Sequence, residues 1–455
     1  MAIFGVSALE RYFSQGHTRT VQAKKNVLAL FAIRAISILV SFLLVPLTIH
    51  YLNTTQYGIW LTLTSIIGSV NLLDIGLGNG MRNKFAEARA RDDKELARTY
   101  ISTTYVAMGL FVVVAISVFL LVNPFLHWAT ILNAPADLDS ELGLLAAVVF
   151  VFFCLRLLFN LIGTLMVADQ KPAISSLLEL LTNILSLIAI YALTRSGSGS
   201  LFRLGFAVSG LSALVPLVAS IWYFAREYKP YLPAYRLAKL QYARELMSLG
   251  VQFFILQIAV IVIFSSSNLI ITQLFGPQEV TPFNIAYKYF GVASMAFVVI
   301  LTPFWTAYTE AYVKKDNDWI ARSNKKLRML WAWMAAGVLV MILIANPVYK
   351  IWVGESVHVP VGLSIFMGVY VLIGAWSNIF VYFINGTGKI RLQLVASIVA
   401  SIVNVILAIV LASYFGWGTT GVVAATCIAL LPGCILWPVQ MKKLMSGSAK
   451  GIWAK

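Results

Sequence analysis

The chain has 455 residues, 60% of them hydrophobic, a mean hydropathy of +0.84 and a formal charge of +16. So few polar residues cannot coat a water-facing surface, which excludes a soluble globular domain and makes the bilayer the solvent. The charge would suit nucleic acid, but it is spread over short loops between apolar runs, so no nucleic-acid partner is expected; membrane orientation and anionic lipid headgroups account for it.

The first 26 residues lack a small-residue cleavage pattern, so no cleavable signal is expected and the first span itself directs insertion. Ile3, Phe4, Val6, Leu9, Tyr12 and Phe13 form either a short amphipathic surface helix or part of a disordered tail. Six apolar runs of membrane-crossing length follow, near 27–49, 57–78, 100–122, 142–166, 174–193 and 204–224. After a linker at 225–247 come six more, near 248–274, 282–306, 328–345, 361–384, 392–413 and 420–437. The runs are continuously apolar rather than alternating, which predicts helices, not a barrel. The expected fold is therefore an all-α integral membrane protein of twelve transmembrane helices.

Basic residues concentrate in the terminal segments and in loops 79–99, 167–173, 225–247, 307–327 and 385–391. The opposite loops hold only Arg195, Arg203 and Lys350. The positive-inside rule then puts both termini in the cytoplasm.

The two halves resemble each other. Ala97-Arg98 recurs as Ala321-Arg322, Asp92 as Asp316, Asn123-Pro124 as Asn346-Pro347 and Trp128 as Trp352, at offsets of about 223–224. Asn160 and Lys171 recur as Asn378 and Lys389 after a few residues are lost from a loop. Six spans per half give both halves one orientation, so residues 1–224 and 248–455 are expected to form two lobes related by a pseudo-two-fold axis along the membrane normal. A cavity between such lobes, exposed to alternate faces by rocking, is the logic of a transporter.

Arg34, Asp74, Arg156 and Lys288 fall at bilayer depth, where each charge costs roughly 2.5–3.5 kcal/mol on insertion scales. Their spacing places them on polar stripes. Arg34 aligns with Ser37 and Ser41, Arg156 with Asn160 one turn away, Lys288 with Asn284, and Asp74 with Asn71 and Gly78. Arg34 either faces the cavity, as its serine stripe favours, or snorkels to the inner surface. Arg156 lies too deep to snorkel easily and either faces the cavity or is buried in a pairing with backbone carbonyls or Asp74; Lys288, nearer the outer face, is open between cavity and interface. Asp74 is either a counter-ion or a proton site. The repeat places Gln257 opposite Arg34, Phe297-Val298 opposite Asp74 and Gly374 opposite Arg156, so the first half is charged where the second is not. Surviving cations without a symmetry partner point to an anionic ligand: phosphate, pyrophosphate or an acidic sugar. Trp60, Tyr57, Trp376, Tyr382, Asn160 and Asn378 would suit sugar rings, although aromatics near span ends also serve as interfacial anchors.

Other motifs carry less. Gly76-Leu77-Gly78-Asn79-Gly80 follows a membrane helix and lacks the ending of a phosphate loop, so these glycines are expected to loosen a span end beside Arg82 and Lys84. Pro46, Pro216, Pro303 and Pro432 are candidate kinks. Cys154, Cys427 and Cys434 all lie in spans, and His17, His50, His127 and His358 show no ligand spacing, so neither disulfides, metal nor another cofactor is expected. Asp137, Asp139 and Glu141 form the one acidic cluster in an outer loop, read as a solvated turn; a membrane transferase or polymerase would need catalytic acids there.

Residues 51–60, Tyr-Leu-Asn-Thr-Thr-Gln-Tyr-Gly-Ile-Trp, followed by Leu72-Leu73-Asp74-Ile75-Gly76-Leu77-Gly78-Asn79-Gly80-Met81-Arg82-Asn83-Lys84, resemble the Wzx-type polysaccharide flippases of the multidrug/oligosaccharidyl-lipid/polysaccharide (MOP) superfamily. The resemblance implies a MATE-like bacterial inner-membrane protein that moves undecaprenyl-pyrophosphate-linked oligosaccharide from the inner to the outer leaflet, with membrane lipid and polysaccharide polymerase machinery as partners and a proton or sodium gradient as the energy source. It carries over directly to Asp74, Gly78, Asn79, Gly80 and Arg82; Arg34, Arg156 and Lys288 rest on the argument from charges at bilayer depth, and Asn160 on its place one turn from Arg156. With twelve spans the chain lacks the extra pair that related lipid II flippases use as a lipid groove. A cation-coupled drug or metabolite exporter of the same superfamily is the alternative, and would want an acidic cavity.

Overall fold

Backbone groups in hydrocarbon must be satisfied within their own segment, and the chain answers with helices throughout. The computed structural model describes residues 18–68, 77–169, 171–197, 199–239, 241–243, 266–355 and 357–454. The N-terminal segment 1–17, Asp74, Gly76 and Gln257 lie outside these residues. Among the described residues, ten helical segments are long and apolar enough to cross a bilayer. The two further expected spans, 57–78 and 248–274, both run into residues outside that set. The architecture is the expected all-α membrane fold, and its chain folds as two compact units.

The first unit comprises Met1–Tyr51, Val70–His127 and Ser140–Phe254. Its helices are α1 (Thr18–Tyr51), α3 (Leu77–Ala90), α4 (Lys94–Val122), α5 (Asp139–Phe159), α6 (Leu161–Ala168), α7 (Pro172–Arg195) and α8 (Leu201–Ala225). α1 and α8 both pack along α7, and α3 packs against α4 and α6. On α3 the buried Leu77, Met81, Phe85 and Ala88 follow helical spacing, whereas Arg82, Glu87 and Arg89 stand exposed. The span expected at 142–166 is interrupted at Asn160, which separates α5 from α6.

The second unit comprises Leu52–Ser69, Trp128–Asp139 and Ile255–Lys455. It holds α9 (Val280–Val313), α10 (Asn317–Leu343), α11 (Ala345–Val353), α12 (Val361–Thr387), α13 (Arg391–Ile409), α14 (Gly418–Leu430) and α15 (Gly433–Met445). α12 is its hub, packing on α9, α10, α14 and α15. The unit also claims α2 (Thr54–Gly68), although that helix comes early in the chain. Thr281 donates to the Thr54 carbonyl at 2.7 Å, the Thr62 and Thr272 hydroxyls share a bond of 2.7 Å, and Asn268 donates to Ser65 Oγ at 2.9 Å. Gly58 makes this approach possible, since a Cβ there would overlap the Pro277 carbonyl. The division by contact thus departs from a division by sequence halves at this helix.

Pro46 and Pro216 lie inside α1 and α8, and Pro303 falls within the length of α9. Pro432 separates α14 from α15, where Leu431 N–H still reaches the Cys427 carbonyl at 3.0 Å. Side chains such as Leu39, Leu110, Leu121, Trp333 and Ile351 stand exposed, as the lipid-facing wall of a membrane protein requires.

A repeated turn marks the internal duplication. Asp93 caps α4 by accepting from Leu96 N–H at 2.9 Å, and Asp316 caps α10 by accepting from Trp319 N–H at 3.0 Å. The preceding residues, Asp92 and Lys315, both take left-handed backbone, with φ of 57° and 58°. Asp316 therefore corresponds to Asp93, not to Asp92 as the Ala-Arg pairs suggest. The sequence match is one residue out of register because the turn, not the helix after it, sets the correspondence.

The described part of the linker folds onto α4. Arg98 Nε donates to the Leu232 carbonyl at 2.9 Å, Ala234 N–H to Ser102 Oγ at 3.1 Å, and Lys239 N–H to Thr103 Oγ1 at 3.1 Å. Nearby, the buried Asp169 carboxylate pairs with Arg89 and Lys171 and accepts from the Tyr228 hydroxyl at 3.0 Å, while Lys171 also pairs with Glu227. Burial and the adjacent Glu227 push the Tyr228 phenol above its ordinary range.

Candidate functional site

One polar cluster of the first unit gathers on three helices. α7 carries Ser175, Glu179, Thr182, Asn183 and Ser186 along one face, a polar stripe on a mostly apolar helix. Arg156 and Asn160, one turn apart at the end of α5, and Ser212 of α8 face the same space. Together they line a pocket of about 270 Å³. Asn160 sits where α5 breaks, its N–H on the Arg156 carbonyl at 2.8 Å and its own carbonyl accepting from Gly163 at 2.9 Å. Gly163 lets α6 approach α7 there, since a Cβ would come within 2.9 Å of Ser175 Oγ.

Arg34 of α1 meets this stripe from the side. Its guanidinium lies 3.8 Å from Glu179 Oε2, with the two side chains 47% and 56% exposed. The structure therefore brings Arg34, Arg156 and Asn160 to one helix, α7, and supplies the partner that the sequence reading missed. Glu179 is an acid within an apolar run. The signal that could have found it was the polar stripe continuing from Ser175 to Asn183.

Other expected residues stand elsewhere. Arg82 is exposed on α3 and does not line this pocket; Asn79 lies in the first turn of the same helix. In the second unit, a pocket of about 210 Å³ is lined by Ser65, Ser267, Asn268, Asn284, Tyr287 and Tyr370, together with Thr426 and apolar neighbours. Asn284 donates to Asn268 Oδ1 at 2.9 Å, continuing the Asn268–Ser65 bond into a chain of neutral groups. Among the described residues, no charged side chain lines it. Lys288, one turn past Asn284 on α9, is partly buried and outside that lining.

The aromatic residues considered for sugar stacking are engaged in contacts within the second unit. Tyr57 and Trp60 are buried on α2, Trp376 donates to the Cys434 carbonyl at 3.1 Å, and Tyr382 meets Trp305 edge-on with ring centroids 5.6 Å apart. Asp139 accepts from Ala129 N–H at 2.7 Å, a bond that shapes its turn.

Chemically, the first pocket offers forked donors, amide groups and hydroxyls to an anion, with Glu179 as the competing carboxylate. The second, among the described residues, offers neutral donors and acceptors.

Comparison with known proteins bears on both fold and role. The polysaccharide biosynthesis protein family matches residues 23–305. A Yersinia pseudotuberculosis protein described as an O-antigen export protein is 20% identical over 363 residues, covering 79% of this chain and 82% of its own. A Salmonella typhimurium protein described as an O-antigen transporter is 20% identical over 351 residues, 76% of this chain and 79% of its own. Among solved structures, the inward-facing conformation of a multidrug-resistance MATE-family transporter of the MOP superfamily superposes with a TM-score of 0.76. It is 15% identical and covers 93% of this chain and 100% of that one, a likeness of fold.

Proposed function

This chain belongs to the polysaccharide biosynthesis protein family, and from that premise we propose that it is a flippase moving undecaprenyl-pyrophosphate-linked oligosaccharide from the inner to the outer leaflet of the bacterial inner membrane. The pocket holding Arg156 and Asn160, with Arg34 close by on Glu179, carries this reading. A pyrophosphate headgroup entering hydrocarbon needs its charge neutralised, and guanidinium forks do so with directed hydrogen bonds. Arg34, Arg156 and Asn160 are assigned the phosphates; the prenyl tail stays in lipid. Asp74, Asn79, Arg82 and Lys288 are assigned supporting roles by motif and charge, with Asp74 the candidate for proton or sodium coupling. Alternating access delivers the headgroup outward, and requires different affinities in the two states.

The test replaces Arg34 and Arg156 with Ala in cells and measures lipid-linked sugar retained on the inner leaflet. The flippase reading expects accumulation there with normal protein level and fold. Undiminished flipping in the folded double variant overturns it. The drug-exporter alternative gains one acid in Glu179 but sets it against two arginines, and it expects drug efflux to survive loss of Arg156.

A further inference from the structure

A second cavity of the first unit lies apart from the polar pocket. It is an open groove of about 560 Å³ walled by Leu158 and Phe159 at the end of α5, by Leu217, Ile221 and Phe224 of α8, and by the linker residues Leu232 and Pro233. Such a volume falls within the ~300–1,000 Å³ of small-molecule sites. Its lining is mostly carbon: the Ser220 hydroxyl donates to the Pro216 carbonyl at 2.8 Å, and Tyr105 adds a ring with a buried hydroxyl.

The mouth is cationic. Lys229 lines it, exposed. Arg226 follows the lining residue Ala225, with its guanidinium over the Trp222 ring at 4.9 Å. Arg98 is fixed to the carbonyl of lining residue Leu232. The acid in this stretch, Glu227, is committed to Lys171. The linker wall is tied down at Ala234 and Lys239, so the groove is formed before anything enters it.

We propose that this groove holds an acyl chain of an anionic phospholipid, with its phosphate at Lys229, Arg226 and Arg98. An apolar groove with Lys229 in its lining, and with Arg226 and Arg98 held on residues beside it, matches a lipid in shape and charge: a chain with one negative group at its end. Phospholipid is favoured over the transported prenyl lipid because the groove lies on the linker beside the basic loops, which are expected at the leaflet whose anionic phospholipids create a negative surface potential. The bound lipid would also hold the 228–233 strap against α8, since the strap is one wall of the groove. This inference does not depend on the flippase reading.

Native mass spectrometry of the full-length protein in mild detergent, titrated with phosphatidylglycerol or phosphatidylcholine of the same chains, tests it. Wild type is expected to retain phosphatidylglycerol preferentially, and R226Q/K229Q to hold it roughly tenfold more weakly. Leu217→Trp, which fills the groove without touching charge, should lose the same adduct while keeping a monodisperse elution profile. Equal retention of the two lipids by wild type, or undiminished phosphatidylglycerol binding by R226Q/K229Q, overturns the proposal. So does displacement of phosphatidylglycerol by an equimolar polyprenyl phosphate, which would give the groove to the transported lipid.

Discussion

Arg34 and Glu179 show how a single side chain changes the meaning of a charge. Alone at bilayer depth each would cost roughly 2.5–3.5 kcal/mol, and together they offset one another. Both are about half exposed, so the pair itself adds at most about 1 kcal/mol to stability. Glu179→Gln is therefore expected to leave the melting temperature within about 3 °C of wild type. By freeing Arg34 and removing a competing carboxylate from the pocket, the same change should tighten binding of a lipid-linked pyrophosphate several-fold, measured by titration in detergent; weaker binding would mean that Glu179 positions the arginines rather than competing with the ligand. Asp169 presents the opposite case, a buried carboxylate shared by Arg89, Lys171 and Tyr228. Asp169→Asn leaves those donors facing a neutral amide, and about 3 kcal/mol is expected to be lost on thermal unfolding, the lower end for a broken buried pair because the two cations retain access to water. Tyr228 adds a pH signature. Its phenol is raised in the folded state, so its contribution is complete below the unfolded value near pH 10 and is lost as pH rises beyond it. Alkaline melts should fall less steeply above pH 10 for Tyr228→Phe than for wild type.

At the level of helices, much was legible because length and apolarity alone decide whether a segment can cross a bilayer. The spans near 174–193, 204–224 and 361–384 match α7, α8 and α12 within a few residues. Breaks were less legible. Asn160 divides one expected span into α5 and α6, and no hydropathy window registers a single residue that redirects the backbone. Tertiary assignment was hidden altogether: Tyr57 and Trp60 read as sugar-stacking candidates, but Gly58 between them fits α2 against the Pro277 carbonyl, and the contact spans more than 200 residues of sequence. Gly58→Ala has no room without moving backbone, so a loss of about 3 kcal/mol or failure to accumulate folded protein is expected, read by thermal melting and fluorescence-detected size exclusion. Unchanged stability would show that α2 can shift outward at little cost. The caps invite a milder test. Asp93→Ala and Asp316→Ala should each cost about 1 kcal/mol, and because they cap different helices in different units their effects should add.

Over the whole chain, the asymmetry of charge is the feature that links sequence to role. The repeat predicted cations in the first half without equivalents in the second, and the two pockets differ in the same sense: Arg156 and Glu179 line one, amides and hydroxyls the other. The resemblance of residues 51–84 to Wzx-type flippases agrees with the family match and with the MOP-superfamily likeness of fold. Direction of transport then depends on sidedness, which rests on loop charge. Arginines and lysines resist translocation, so the loops around Lys94 and Lys315 are expected in the cytoplasm and those around Asp137 and Glu355 at the outer face. Single cysteines decide this, placed in a background where Cys154, Cys427 and Cys434 are Ser, a change to be checked first for normal accumulation. In intact spheroplasts, Asp137→Cys and Glu355→Cys should react with a membrane-impermeant maleimide, and Lys94→Cys and Lys315→Cys only after permeabilisation. The reverse pattern would place the basic loops outside and invert the direction of loading that the flippase proposal requires.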